Sequence, residues 1–140
     1  MNRGKTISML QLGDRAERTD YVTEETGIKF ADVSNDHNPV HLDEAYALLT
    51  PFKGRIAHGM LLAAYISAVL GNDLPGPGSI YVNQTLAFKA PVRYGDTITT
   101  AVEVAEIIPE RNRVKLKTTC LNQAGTVVLE GEATILPPKA

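Results

Sequence analysis

Asp36 and His41, two residues with acid–base side chains, lie five positions apart in the segment NDHNPVHL, residues 35–42. Pro39 fixes its own φ and biases Asn38 towards extended conformations, so the segment is predicted to be a shaped loop just before a helix. A carboxylate beside an imidazole can hold one water and pass protons in both directions, as needed to add water to a double bond or remove it. The spacing alone is weak evidence, because Asp36 could equally cap a turn and His41 could simply begin a helix.

The segment AHGM, residues 57–60, is a second candidate site because it enters a predicted helix. Free backbone N–H groups and the positive end of the helix dipole meet at such a point. Gly59 would let a ligand approach the backbone closely, and its N–H would polarise a thioester carbonyl as negative charge develops on the oxygen. The alternative for Gly59 is close helix–sheet packing alone. His58 is expected to orient the turn, with ligand contact as the alternative.

Two polar residues interrupt apolar patterns near these segments. Ser67 lies two turns into the helix, where a buried hydroxyl needs a partner. That partner is either the carbonyl four residues earlier or the Asp36 carboxylate, which Ser67 would then orient. Gln84 is either a satisfied core amide or a polar contact that lines the site. The apolar face that Gln84 interrupts consists of Ile80, Val82, Leu86 and Phe88.

The elements that position these residues differ between the two halves of the chain. In the second half, apolar and polar residues alternate with period two, which predicts strands with one buried face. The predicted strands cover residues 79–89, 96–108, 113–121 and 126–136. Residues 122–125 form a predicted hairpin loop in which Gly125 supplies a positive φ, and residues 72–78 form a turn-rich bridge.

The first half is more helical. Thr23 can cap a helix that runs to about residue 34, and Asp43 can cap a shorter one through residue 49. The third helix, from Gly59 to about residue 70 with Gly71 as its C′ residue, has no charged side chain and is therefore expected to be buried nearly all round. In a chain this small, such a helix must be wrapped by the sheet. The pattern predicts one α+β domain over residues 1–140, an antiparallel sheet around a central apolar helix.

Composition narrows the function. The chain has 140 residues and a net charge of −2, so bulk electrostatics give no indication of a nucleic-acid or anionic-membrane partner. Cys120 is the one cysteine, and the N-terminal sequence has no apolar region of signal-peptide length. The longest apolar stretch, residues 60–70, is too short to span a bilayer, and a cytoplasmic protein is expected. No Cys/His spacing is typical of a metal site: a metal would need ligands among Asp36, His37, His41 or His58 to converge, but the sequence has no ligand motif.

The combination of NDHNPVH, AHGMLLAAYISAVLG, GSIYVNQTLAFKAPVRYGD and the closing GEATIL resembles the MaoC-like (R)-specific enoyl-CoA hydratases, over nearly the whole chain from about residue 14. The resemblance implies a hot-dog homodimer that hydrates trans-2-enoyl-CoA to (R)-3-hydroxyacyl-CoA. Enzymes of this type commonly feed β-oxidation intermediates into polyhydroxyalkanoate synthesis. The family signature falls on Asp36, Asn38, Pro39 and His41, the oxyanion-hole glycine on Gly59, and a serine that supports the aspartate on Ser67.

The mechanism that the resemblance implies requires no metal and no redox cofactor. CoA takes part only as the thioester portion of the substrate. His41 is favoured as the base towards water and Asp36 as the proton donor, although the pair can titrate as a unit and the sequence does not separate them. Two rival functions stay open. One is a dehydratase acting on acyl-carrier-protein or branched-chain thioesters, and the other is a non-catalytic acyl-CoA-binding module.

Overall fold

The computed structural model describes residues 3–140, in which an antiparallel six-stranded sheet curls around one helix. The strands are β1 (Arg15–Tyr21), β2 (Ile80–Gln84), β3 (Ala87–Phe88), β4 (Thr97–Ile108), β5 (Arg113–Leu121) and β6 (Val127–Leu136). Their order is β1-β4-β5-β6-β2, and β3 also pairs with β6. The helices are α1 (Glu24–Ser34), α2 (Pro39–Leu42), α3 (Glu44–Leu48) and α4 (Gly59–Asn72), with 3-10 turns at Ile7–Met9 and Pro109–Arg111.

The core lies between α4 and the concave face of the sheet. Period-two alternation places every second residue of β5 on this face, where Val114, Leu116, Thr118 and Cys120 are all buried. Helix α4 contacts β1, β4 and β5 and buries Ile66 and Val69 completely against them. The predicted α+β architecture, a sheet wrapped around a central helix, is confirmed.

The predicted helix starts and the hairpin are also confirmed. The side chain of Thr23 accepts a hydrogen bond from the N–H of Thr26 at 3.0 Å, and Asp43 Oδ1 accepts one from the N–H of Tyr46 at 3.1 Å. Such caps satisfy N–H groups that the first turn of a helix leaves free. Between β5 and β6, Gly125 has a φ of +76°, the left-handed conformation that a glycine adopts without steric cost.

Two predicted boundaries are wrong, and one strand was not predicted. Helix α4 continues to Asn72, so Gly71 lies inside the helix instead of following it as the C′ residue. The predicted strand over residues 79–89 is interrupted at residues 85–86 and becomes β2 and β3. Strand β1 was not predicted, because most of its residues are exposed in an edge strand and its polar sequence lacks a clear apolar alternation.

The expectation that α4 is buried nearly all round is wrong for the single chain. One face of the helix is open to solvent: Met60 is 55% exposed, and Ala64, Ser67 and Gly71, which follow at helical spacing, are exposed as well. The neighbouring edge strand β2 also exposes apolar side chains, with Ile80 at 59% and Val82 at 43%. Within residues 3–140, none of the helices has the length and apolar character needed to cross a membrane.

Candidate active site

The loop between α1 and α2 presents Asp36 at the surface. Asn35 ends α1 in the left-handed conformation, with a φ of 63°, and so turns the chain out of the helix. The Asp36 carboxylate then accepts a hydrogen bond from the N–H of Asn38 at 3.2 Å. Asn38 in turn caps α2, because its side-chain oxygen accepts from the N–H of Val40 at 3.3 Å. The loop therefore has the shape that its asparagine and proline predicted, and Asn38 serves to form it.

His41 is buried at the end of α2 and is held on two sides. Its Nδ1 lies 2.8 Å from the carbonyl oxygen of Ile56, and its own carbonyl oxygen accepts a hydrogen bond from the hydroxyl of Tyr94 at 2.8 Å. A carbonyl oxygen can only accept, so Nδ1 carries the proton and Nε2 is the basic nitrogen of the neutral ring. This assignment follows from the chemistry of the partner, not from an observed hydrogen.

The surroundings of His41 favour the neutral ring. Burial lowers the pKa of His41 below its ordinary value, and the neighbouring His58 acts in the same direction. The hydrogen bond to Ile56 and the Asp36 carboxylate oppose this shift but do not cancel it. At neutral pH the ring is therefore uncharged, with a lone pair available on Nε2.

His58 is almost completely enclosed, with 1% of its surface exposed. Its Nε2 lies 3.0 Å from the backbone carbonyl oxygen of Asp36, so this nitrogen carries the proton and donates it. The His58 ring stacks on His41, with centroids 3.9 Å apart and planes 28° from parallel. The predicted orienting role is therefore matched by contacts to the two residues of the candidate pair.

Gly59 is the first residue of α4 and lines a cavity of about 350 Å³ together with His41. No hydrogen bond from its N–H to any other group in residues 3–140 is present, as expected for the first residue of a helix. A β-carbon on Gly59 would lie 2.7 Å from the ring of Phe88, so the glycine also permits close packing against β3. The close-packing interpretation of Gly59 is therefore confirmed, and the contact of its N–H with a thioester carbonyl stays a prediction. The cavity is otherwise lined by Phe52, Ile56, Ala57, Leu62, Phe88, Lys89, Ala90, Pro91 and Val92.

The convergence that a metal site would require is present for three of the four residues named from the sequence. Asp36, His41 and His58 each offer a ligand atom, and these atoms lie within 4.8 Å of one another. His37 does not join them, since its Nε2 lies 3.7 Å from the carboxylate of Asp32 on the exposed side of the loop. The ligand atoms of these three residues are of types that bind a cation. One nitrogen of each imidazole, however, already carries a proton and donates a hydrogen bond to a backbone carbonyl oxygen.

Two other predicted site residues lie elsewhere. Ser67 is on the open face of α4, and within residues 3–140 its hydroxyl has no hydrogen bond to Asp36 or to a carbonyl, so the prediction of a buried, partnered hydroxyl is wrong. Gln84 is a satisfied amide: it donates to Thr118 Oγ1 at 2.9 Å and to the carbonyl of Thr85 at 2.8 Å, and accepts from the hydroxyl of Tyr81. It also lines an apolar groove of about 490 Å³ beside Met60.

Tyr94 is the contributor that sequence reasoning missed. Its hydroxyl holds the His41 backbone, and burial raises the pKa of Tyr94, which keeps the hydroxyl a donor. The Arg55 guanidinium lies 5.3 Å from the Tyr94 ring centroid. A β-carbon on Gly27 would lie 2.2 Å from the Tyr94 hydroxyl, so a glycine at this point of α1 makes room for it. Pro91 and Gly95 punctuate the loop around Tyr94, but no spacing links it to residue 41.

The fold and this geometry define a class, the hot-dog domain with a carboxylate and an imidazole beside the first turn of its central helix. Residues 11–125 match the family model described as MaoC like domain, and the chain belongs to that family. An (R)-specific enoyl-CoA hydratase of Rhodospirillum rubrum is 55% identical over 126 residues, which cover 90% of this chain and 87% of that protein. A 3-hydroxybutyryl-CoA dehydratase of Methylorubrum extorquens is 54% identical over 112 residues, 80% of this chain and 71% of that protein.

A solved structure agrees with this membership. The R-hydratase PhaJ1 from Pseudomonas aeruginosa, in the unliganded form, superposes with a TM-score of 0.92 at 49% sequence identity, covering 98% of this chain and 88% of that one.

Proposed function

We propose that this protein catalyses the reversible, (R)-specific hydration of trans-2-enoyl-CoA to (R)-3-hydroxyacyl-CoA. The observation that carries the proposal is the position of the neutral His41 ring, which clusters with Asp36 and lines the same cavity as Gly59. Relatives at 55% and 54% identity, named as a hydratase and a dehydratase of CoA thioesters, support the same reaction in its two directions.

In the proposed mechanism, the thioester carbonyl oxygen accepts a hydrogen bond from the N–H of Gly59. His41 Nε2 removes a proton from a water molecule as its oxygen attacks C3. Negative charge that builds on the thioester oxygen is stabilised by the Gly59 N–H and by the positive end of α4. The Asp36 carboxylate takes a proton from the resulting imidazolium and delivers it to C2, so that both side chains return to the forms in which they began.

The proposal includes no metal or redox cofactor, because the imidazole, the carboxylate and a backbone N–H can supply the proton transfers and the polarisation themselves. Because three potential metal ligands converge, metal independence is tested separately. Dialysis of the purified enzyme against a chelator is expected to leave turnover unchanged. Loss of turnover that Zn²⁺ or Mg²⁺ restores would contradict it.

We propose further that the enzyme works as a homodimer in the cytoplasm. The open face of α4 and the unpaired outer edge of β2 together expose Met60, Ala64, Ile80 and Val82. An apolar edge strand beside an apolar helix face invites pairing, and a second copy could cover both surfaces at once. The cytoplasmic location is supported by the single, buried Cys120, and cell fractionation would test it.

Crotonyl-CoA provides the direct test of the reaction. Absorbance of the enoyl-thioester band should fall when enzyme is added, and chiral analysis should show the (R)-3-hydroxy product. Asp36→Asn and His41→Gln should each lower turnover by about 100-fold or more if these side chains transfer the protons. Asp32→Asn and His37→Gln are matched controls, because they make the same changes in exposed residues outside the cluster.

The same experiment separates the rival functions. A non-catalytic acyl-CoA-binding module would bind crotonyl-CoA in calorimetry without any loss of absorbance. A dehydratase of acyl-carrier-protein thioesters would turn over the carrier-linked substrate far faster than the CoA ester. Either result would overturn the proposal in favour of that alternative.

A further inference from the structure

His58 connects the two halves of the candidate active site. It directly precedes Gly59 at the start of α4, and its Nε2–H donates to the carbonyl oxygen of Asp36, which lies 22 residues earlier in the chain. It is the N-terminal cap residue of α4, yet its side chain makes no capping hydrogen bond. The imidazole therefore reaches away from its own helix and across to the loop.

This hydrogen bond is the long-range anchor of the Asp36 loop. The other hydrogen bonds of Asp36 in residues 3–140 are local: its N–H donates to Ser34 Oγ at 3.2 Å, and its carboxylate accepts from Asn38 N–H at 3.2 Å. Contacts within two residues set the shape of a loop but not its place on the protein. The place of the Asp36 carboxylate relative to α4 thus depends on His58.

The His58 ring also packs against two neighbouring aromatic rings. One neighbour is His41, at a centroid distance of 3.9 Å, and another is Phe30 of α1, at 4.9 Å and an angle of 60°. The ring is 1% exposed, and its Nδ1 has no hydrogen-bond partner in the described part of the chain. Its single hydrogen bond therefore goes to the Asp36 loop, while its stacked face fixes the plane of the His41 ring.

We infer that His58 is a positioning residue that holds the Asp36 carboxylate at a fixed distance from His41 and from the Gly59 N–H. The inference rests on the proposed function, in which these three groups act on one substrate. His58 itself touches no reacting atom. A misplacement of about 1 Å among reacting groups costs on the order of 100-fold in rate, so the loss of this anchor should lower kcat more than it raises KM.

A pair of amide substitutions tests the role of the Nε2–H. In His58→Gln, the amide nitrogen can reach the place of Nε2 and donate to Asp36 O, whereas in His58→Asn the side chain is one methylene shorter and cannot. His58→Asn is expected to lower kcat for crotonyl-CoA by about 10- to 100-fold with KM changed less than about threefold, and His58→Gln to recover most of this loss. His58→Phe retains an aromatic ring and should behave like His58→Asn.

Hydrogen exchange gives a readout that does not depend on turnover. The amides of residues 35–38 should exchange faster in His58→Asn than in His58→Gln or in the unmodified protein. If the unmodified protein shows no hydration, the proposed function fails, while the exchange data still decide whether His58 anchors the loop. Equal exchange and equal kcat in the two amide variants would overturn the inference, and so would a wild-type kcat in His58→Asn.

Discussion

The Nδ1–H of His41 donates to the carbonyl oxygen of Ile56, while the N–H of Ile56 donates to the carbonyl oxygen of Val40 at 3.2 Å. The next residue, Ala57, donates its N–H to the carbonyl of Val92 at 2.7 Å. The segment that leads into α4 is therefore fixed on one side to the helix that carries His41 and on the other side to the loop that lines the cavity. The place of the imidazole relative to the Gly59 N–H follows from these backbone contacts.

The buried neutral ring of His41 predicts the pH dependence of the reaction. Because burial lowers the pKa of His41, the base form persists below its ordinary pKa of about 6.5. A plot of kcat/KM against pH should therefore rise through a midpoint below about 6.5 and then level off. His41→Gln should lose this limb along with most of the activity. A midpoint at or above the ordinary value, or an unchanged limb in the variant, would contradict His41 as the base.

The lowered pKa of His41 also makes the stability of the fold depend on pH. Between the pKa of His41 in the folded protein and its higher pKa in the unfolded chain, the unfolded state binds more protons. The free energy of unfolding should therefore rise with pH through that window and gain nothing further from this group above about 6.5. Urea unfolding at a series of pH values, compared with His41→Gln, measures this contribution.

The hydroxyl of Tyr94 is expected to support both stability and turnover. Tyr94→Phe removes the donor to the His41 carbonyl and leaves that acceptor partly buried, which should cost about 1 kcal/mol of unfolding free energy. Turnover should fall severalfold, since α2 loses one of the hydrogen bonds that hold it against neighbouring segments. Tyr21→Phe is the matched control because Tyr21 is 63% exposed on β1. Equal melting temperatures and equal kcat in the two variants would show that the hydroxyl has no such role.

The structural features that the sequence predicted arise from interactions between residues close together in the chain. The features that it did not predict arise from contacts between distant residues. The loop at residues 35–41 and the caps at Thr23 and Asp43 follow from side chains acting on their own backbone, and the alternation in β5 from one buried face. The hydrogen bond from Tyr94 to His41 joins residues 53 positions apart, and no periodicity in the sequence marks it. Local geometry is therefore predictable from the sequence pattern, whereas a contact between such distant residues is not.

The placement of Ser67 shows a second limit. An uncharged helix predicts burial on every face, but it does not say whether the cover comes from the same chain. In the single chain, the sheet covers the face of α4 that carries Ile66 and Val69 and leaves Ser67 open. Ile80 and Val82, on the predicted apolar face of β2, are left open in the single chain as well.

Gly59→Ala tests how tightly the cavity is built around the N-terminus of α4. The new methyl group would lie 2.7 Å from the Phe88 ring, so that ring must shift and alter the cavity that both residues line. We expect kcat/KM for crotonyl-CoA to fall about tenfold, because the substrate is displaced from the Gly59 N–H. Gly59→Ala combined with Phe88→Ala should recover part of the loss. Gly71→Ala adds the same methyl to the other end of the same helix, with no neighbour within 4 Å in the single chain. It should leave kcat/KM unchanged as long as sedimentation shows the same association state as in the unmodified protein.

The open edge of β2 predicts how the subunits associate. Val82→Lys places a charge on an apolar strand edge that a second copy is proposed to cover, and burying an unpaired ammonium there is unfavourable. Sedimentation velocity should show a dimer for the unmodified protein and a shift towards monomer for the variant, at a concentration where the former stays dimeric. Leu12→Lys is the control, since Leu12 is 69% exposed and precedes β1 at the opposite edge of the sheet. If Leu12→Lys dissociates the dimer and Val82→Lys does not, the interface lies at the β1 edge. If the unmodified protein sediments as a monomer, the proposed dimer is wrong.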